Sequence, residues 1–331
     1  MRKLIYLLLV LPFAIFVSCD ADFDPNDDWS EKMMVYCLLD QDDDTTYVRI
    51  EKCFLGKGNA YEFAKTKDSV YYSPDELDVK MYSYWTWAPS TVVDSFTFQY
   101  TTTAKNNGDF YFDDNCPVYY CVTKGKLSLN CLYKLVITNR NTGNQVSASA
   151  YLLSDYSIET NTFMFSENKG SQNIVWTNRR NYQSSNSNNM VKQFQVNIRF
   201  NYTQNGKIAH IDIPITTRTN NNLSYEHSVQ TDTTTILSSI RVKLASQSGL
   251  GWYGAAPFEI RISACDLSMF DYLSINNASH SSLNYVPVYS NINGGFGLFA
   301  ARRHNISRSF ASREINNELA SKIGAFFNSI N

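Results

Sequence analysis

Apolar and polar residues alternate with a period of two through most of the chain, and the alternation breaks at clusters of Asn, Asp, Gly and Ser. That pattern predicts half-buried strands joined by polar turns. Residues 33–39 and 46–54 form a hairpin across the acidic turn Asp40–Asp44. Val79–Tyr84, Val92–Tyr100 and Pro117–Thr123 are further strands. Leu127, Tyr133, Leu135 and Ile137 lead to a turn at Asn141–Asn144 and then to Val146, Ala148, Ala150 and Leu152. Tyr133, two residues before an inward apolar side chain, is placed like the tyrosine corner of Greek-key sandwiches, although an ordinary strand tyrosine fits the spacing equally. The expected fold class is mainly β: an immunoglobulin- or fibronectin-like sandwich over 33–154, then a second β-rich domain with a few helices and a C-terminal helix over 155–331.

The clearest local signal lies in the second half. Val196, Ile198, Phe200 and Tyr202 alternate with polar residues, Asn205-Gly206 follows, and Ala209, Ile211, Ile213 and Ile215 resume the stripe. Asn-Gly supports the positive φ angles of a type I′ turn, which pairs Tyr202 with Ala209, Phe200 with Ile211, Ile198 with Ile213 and Val196 with Ile215. Arg199 then faces Asp212 on the polar side. Ile236, Ile240 and Leu244 predict a helix with Asp232 as N-cap, Phe258–Ala264 a strand, Asp266–Leu273 a single helical turn, and Ile315, Leu319, Ile323 and Phe326 the C-terminal helix. Gly294, Gly295 and Gly297 mark a bulge or tight turn, or a close approach of another backbone or a ligand.

The N-terminus breaks this pattern. Arg2 and Lys3 precede the uncharged run Leu4–Val17, then Ser18 and Cys19. The run is shorter than the roughly 20 residues a membrane span needs, and it reads as a lipoprotein signal peptide, residues 1–18, cleaved to leave Cys19 as an acylated N-terminus. An acidic tether, 19–32, follows with Asp20, Asp22, Asp24, Asp27 and Asp28. Beyond a solvated linker, this cluster resembles the surface-export signals of Bacteroidetes lipoproteins and implies outer-membrane anchoring through Cys19 with the domain facing the cell exterior.

Composition narrows the function classes. Aromatic residues reach 14% and the formal net charge is −2, so there is no basic face for nucleic acid. Cys37, Cys53, Cys116, Cys121, Cys131 and Cys265 remain after Cys19; disulfides and buried free thiols both stay open, and no Cys-x-x-Cys accompanies them. His210, His227, His280 and His304 are scattered. No zinc, nucleophile-elbow or phosphate-loop motif occurs, so no catalytic residue, metal ligand or cofactor is assigned and the expectation is a non-enzymatic protein.

Asp40, Asp42, Asp44 and Glu51 have the spacing of a calcium loop, but Thr45 stands where that loop needs glycine, which favours a solvated turn. Tyr82, Tyr84, Trp85 and Trp87, with Tyr111, Tyr119 and Tyr120, suit core packing or stacking platforms. Trp85 and Trp87, in the loop before Pro89, are the candidates for ligand or partner binding. Asp44-Thr45-Thr46, Asp68-Ser69-Val70 and Asp232-Thr233-Thr234 resemble short O-glycosylation triplets.

Three blocks near the start, Met34-Val35-Tyr36-Cys37-Leu38-Leu39, Tyr47-Val48-Arg49-Ile50-Glu51-Lys52-Cys53-Phe54-Leu55-Gly56 and Asp68-Ser69-Val70-Tyr71-Tyr72, join a fourth at Asn291-Ile292-Asn293-Gly294-Gly295-Phe296-Gly297-Leu298-Phe299-Ala300. Together they resemble the Bacteroidetes outer-membrane lipoproteins designated domain of unknown function 4249. The resemblance implies an outer-membrane location and association with a TonB-dependent β-barrel transporter, as a ligand-capture or accessory component. An adhesin or fimbria-like structural lipoprotein is the alternative.

Overall fold

The computed structural model describes residues 32–53, 62, 64–104, 115–159, 170–178, 189–220, 225–254, 256–278, 289–310 and 317. The signal peptide, Cys19, nearly all of the tether, Tyr111, His280 and the C-terminal helix lie outside these residues. Strand accounts for 60% and helix for 13% of the described residues, so the protein is mainly β and built from several sheets.

In the first half, β1 (Lys32–Leu39), β2 (Thr45–Cys53), β5 (Gln99–Thr103) and β6 (Cys116–Val122) join in the order β1-β2-β6-β5. A second sheet has the order β4-β3-β7-β8, from β3 (Leu77–Trp85), β4 (Ala88–Thr97), β7 (Cys131–Asn139) and β8 (Gln145–Tyr151). A one-turn helix α1 (Lys67–Val70) lies between β2 and β3. Alternate residues of each inner strand point to one core: Met33, Val35, Cys37 and Leu39 from β1, Leu77, Val79 and Met81 from β3, and Tyr133, Leu135 and Ile137 from β7.

The segment expected as one strand over Val92–Tyr100 is two strands in different sheets. The chain crosses at Phe98, whose N–H bonds the carbonyl of Val79, while Phe96 and Phe98 both fill the core. Alternation therefore continues across the change of sheet and conceals it. Tyr133 is fully buried, and its hydroxyl both accepts from the Ser128 N–H and donates to the Ser128 carbonyl five residues upstream.

The second half comprises β9 (Tyr156–Glu159), β10 (Ser171–Asn178), β11 (Gln193–Gln204), β12 (Lys207–Thr219), β13 (Glu226–Asp232), α2 (Thr233–Leu244), β14 (Leu250–Trp252), β15 (Phe258–Cys265), α3 (Leu267–Ala278) and β16 (Phe296–Ser309). Asn205 and Gly206 have φ of 51° and 76°, as the type I′ turn requires. The expected pairs Tyr202–Ala209, Phe200–Ile211 and Ile198–Ile213 form. The fourth does not: a bulge sets Val196 opposite Thr216, because Pro214 has no N–H to donate to the ladder. Asp232 caps α2 by accepting from the N–H groups of Thr234 and Thr235, and the helix buries Ile236, Leu237, Ile240 and Leu244. The turn expected over Asp266–Leu273 is instead the 12-residue helix α3, started by the Asp266 carboxylate accepting from the Met269 N–H at 2.8 Å.

The first and last strands meet as parallel neighbours, Val35 opposite Gly297 and Leu39 opposite Ala301. This pairing makes one nine-stranded sheet of both halves, in the order β12-β11-β15-β16-β1-β2-β6-β5 with β14 beside β11. Hydrophobic clusters still divide near Leu152–Leu153: one gathers residues 33–152 with Ile292 and Phe299, the other residues 153–264 with Ala301. β16 supplies both and is the seam between them. The glycine block explains how the strands get so close. A Cβ at Gly297 would lie 2.0 Å from the Val35 carbonyl oxygen, and one at Gly295 2.6 Å from that of Met33.

Candidate functional site

Parallel pairing of Leu39 with Ala301 brings the acidic turn after β1 against the run Arg302-Arg303-His304 in β16. Asp40 is fully buried rather than solvated: its carboxylate accepts from the Asp42 N–H at 3.1 Å and pairs with His304 Nδ1 at 2.8 Å. Burial raises its pKa above the ordinary carboxylate value, opposed by the Asp42 N–H and by His304. Arg302 reaches Asp43 at 2.9 Å and Asp40 at 3.7 Å. Arg303, 8% exposed, bridges Asp42 at 3.1 Å and Asp155 at 2.9 Å. The network thus ties the first hairpin, the seam strand and the entry to the second half together.

A calcium loop does not form from the four spaced acids. Glu51 pairs with Arg49 along β2 and Asp44 with Lys124. A different set, Asp40, Asp43 and His304, brings candidate metal-ligand atoms within 4.8 Å of one another. Arg302 already supplies positive charge to both carboxylates, which makes the group a salt-bridge cluster first.

Beside this network lies a cavity of about 400 Å³, lined by Gln193, Gln195, Arg261, Ser263, Ala264, Cys265, Met269, Leu273, Arg302, Arg303 and His304. Register explains the set. Gln193, Cys265 and Arg302 form one cross-strand row, and Gln195, Ser263 and His304 the next. Their neighbours Phe194, Val196 and Ile262 point the other way, into the core. Helix α3 forms the apolar wall with Met269 and Leu273, and it is held to the sheet by an edge-on contact of Tyr272 with Tyr36. His304 faces Ser263 across the strands and is oriented by buried Asp40, an arrangement akin to a serine–histidine–aspartate set, but no hydrogen bond joins Ser263 to His304 among the described residues. Cys265 is not a ready nucleophile, since burial pushes its thiol up to about 12. All six described cysteines are free thiols.

Asp266 anchors the wall, accepting from the N–H groups of Met269 and Ala301. Burial nevertheless raises it to about 6. Its folded pKa lies above its unfolded value, so its contribution to stability is complete below about pH 4 and is lost as pH rises through about 6, by about 3 kcal/mol. Urea unfolding at pH 4 and pH 7 should show the wild type losing that much more than Asp266→Asn over the interval. Equal pH dependence of the two proteins would overturn the assignment.

The two tryptophans expected together in the loop before Pro89 are placed differently from each other. Trp85 ends β3 and packs partly on the first core, whereas Trp87, in the tight turn before β4, is 67% exposed. Their rings stack at 4.7 Å. Val92 and Val93 on the edge strand β4 add further exposed apolar area. Of the threonine triplets, Asp232-Thr233-Thr234 is a helix cap with Thr233 fully buried, and Thr46 is buried against Thr123. For the network the sequence carried complementary charge, acids after β1 and Arg302-Arg303-His304 in β16, without showing that the two segments meet; the cavity had no signal, because its walls come from four elements.

No protein-family model matches the chain, and no curated protein is significantly similar to it. Among the described residues, no helix is long and apolar enough to cross a membrane.

Proposed function

We propose that the protein is an outer-membrane lipoprotein, anchored through acylated Cys19 and facing the cell exterior, that captures a ligand or serves as an accessory to a TonB-dependent transporter without being an enzyme. The observation that carries this reading is the short apolar run Leu4–Val17 ending at Cys19, followed at once by an acidic tether. The resemblance of four sequence blocks to Bacteroidetes lipoproteins points the same way. We read the first unit as immunoglobulin-like. In support, the orders β1-β2-β6-β5 and β4-β3-β7-β8 follow strands A-B-E-D and C′-C-F-G of that sandwich, and Tyr133 makes the backbone contact of a tyrosine corner at the start of the F strand.

Exposed Trp87 is the partner anchor in this reading, because a large aromatic side chain at the centre of a contact contributes most to binding. The full chain purified from its native membrane in mild detergent should bring down an outer-membrane β-barrel. Trp87→Ala should weaken that association by about 2 kcal/mol with little change in melting temperature, and Cys19→Ala should lose fatty-acid labelling. Recovery of self-polymers alone would favour the adhesin and overturn the transporter reading, and palmitate labelling of Cys19→Ala would overturn the anchor.

A further inference from the structure

We infer that the cavity between β11, β15, β16 and α3 is a binding site for a small hydroxylated carboxylate, a hydroxy acid or sugar acid; the inference rests on the ligand-capture reading and names its substrate class. A volume of about 400 Å³ lies within the range of roughly 300–1,000 Å³ usual for small-molecule sites. Among the described residues no carboxylate lines it, while three arginines and a histidine do.

Arg303 is committed to Asp42 and Asp155, but the acids that neutralise Arg302 and Arg261 occupy only part of each fork. Arg302 turns Nε and one terminal nitrogen to Asp40 and Asp43, and Arg261 gives one terminal nitrogen to Glu259 at 3.0 Å. A guanidinium has five N–H donors in a fixed plane, so each is oriented by its acid and keeps donors for an acceptor-rich ligand. Both are reachable, with side chains 29% and 45% exposed. Because the neighbouring acids cancel much of the charge, selection comes from short-range, bidentate hydrogen bonding to a carboxylate rather than from a long-range field.

The rest of the lining fits the remainder of such a molecule. Gln193, Gln195 and Ser263 make no side-chain hydrogen bond to another described residue and offer both donors and acceptors to hydroxyl groups. Met269 and Leu273 face them across the cavity and suit the C–H surface of a short chain or ring. A purely apolar ligand would leave the arginine donors unmet, at a cost. A neutral sugar would offer them only uncharged hydroxyl acceptors in place of the charge-assisted, bidentate carboxylate.

Calorimetric titration of the full lipidated chain in detergent, with glucuronate and glucose as probes, tests this. Glucuronate should bind at least tenfold more tightly than glucose. Arg261→Gln should weaken glucuronate binding at least tenfold, and Ser263→Trp, which fills the cavity from an exposed strand position, should abolish it, both with near-wild-type melting temperatures. No binding of glucuronate up to about 10 mM, equal binding of the two probes, or binding that survives Ser263→Trp in a folded protein would overturn the site. Barrel co-purification is measured without any ligand. A barrel partner with no glucuronate binding would refute the cavity assignment alone, whereas glucuronate binding with no barrel partner would refute the transporter reading and leave the cavity standing.

Discussion

Gly297→Ala should destabilise the protein more than any other single-methyl addition, by over about 4 kcal/mol, and in practice should leave it largely insoluble. Two effects act together. At φ of 116° an L-residue is strained, a cost of roughly 1–3 kcal/mol. The new Cβ would also lie 2.0 Å from the Val35 oxygen and within 3 Å of that residue's carbonyl carbon and amide nitrogen. Those atoms belong to a strand in the middle of the sheet, hydrogen-bonded on both sides, so β1 has no direction in which to yield. Separation of β1 from β16 would undo the pairing that makes one sheet of the two halves. Gly254→Ala isolates the first effect: its φ is 62°, with nothing within 4 Å of the added carbon, and the expected loss is about 1–2 kcal/mol. Equal losses for the two variants, measured by urea unfolding, would overturn the close approach as the reason for glycine.

The contrast between these glycines shows what a sequence displays and what it hides. Alternation marked β1, β2, β11 and β12 because one face of each meets a core and the other does not, and Asn205-Gly206 set the register of the long hairpin through backbone conformation alone. Asp232 was legible for the same local reason, since a cap acts within three residues. Strands β9, β10 and β13 gave no such signal. They are short and largely polar, and they are held by Tyr156, Ile174 and Trp176 reaching a core made elsewhere. Helix α3 was underestimated because Leu267, Met269, Phe270, Tyr272, Leu273 and Ile275 surround it instead of lining a stripe.

The candidate site was the least legible part. Its central contact, Asp40 with His304, spans 264 positions, and an acidic turn next to a strand reads locally as solvated. Only the parallel return of β16 onto β1 buries Asp40, and the sole trace of that return was a glycine block open to several readings. Complementary charge, Asp40, Asp42 and Asp43 after β1 and Arg302-Arg303-His304 in β16, becomes informative once the strands are known to be adjacent.

Ile198→Asp should nearly match the glycine substitution in effect, and it tests the second half as Gly297→Ala tests the seam. Ile198 is fully buried in the middle of β11, opposite Ile213 on one neighbour and Ile260 on the other. A carboxylate there meets only apolar side chains, and burial of a charge without a partner costs several kcal/mol. Protonation relieves the charge but still leaves a polar group unsatisfied, so acid pH should recover only part of the loss. Asn197→Asp places the same carboxylate one residue away on the polar face, where its cross-strand neighbour on β15 is Arg261, and it should change stability by under about 0.5 kcal/mol. The difference of several kcal/mol between adjacent positions follows from the period-two geometry alone, since a slip of one residue would exchange the two outcomes. Melting temperatures that agree for the two variants would refute the register that also places Gln193 and Gln195 in the cavity wall.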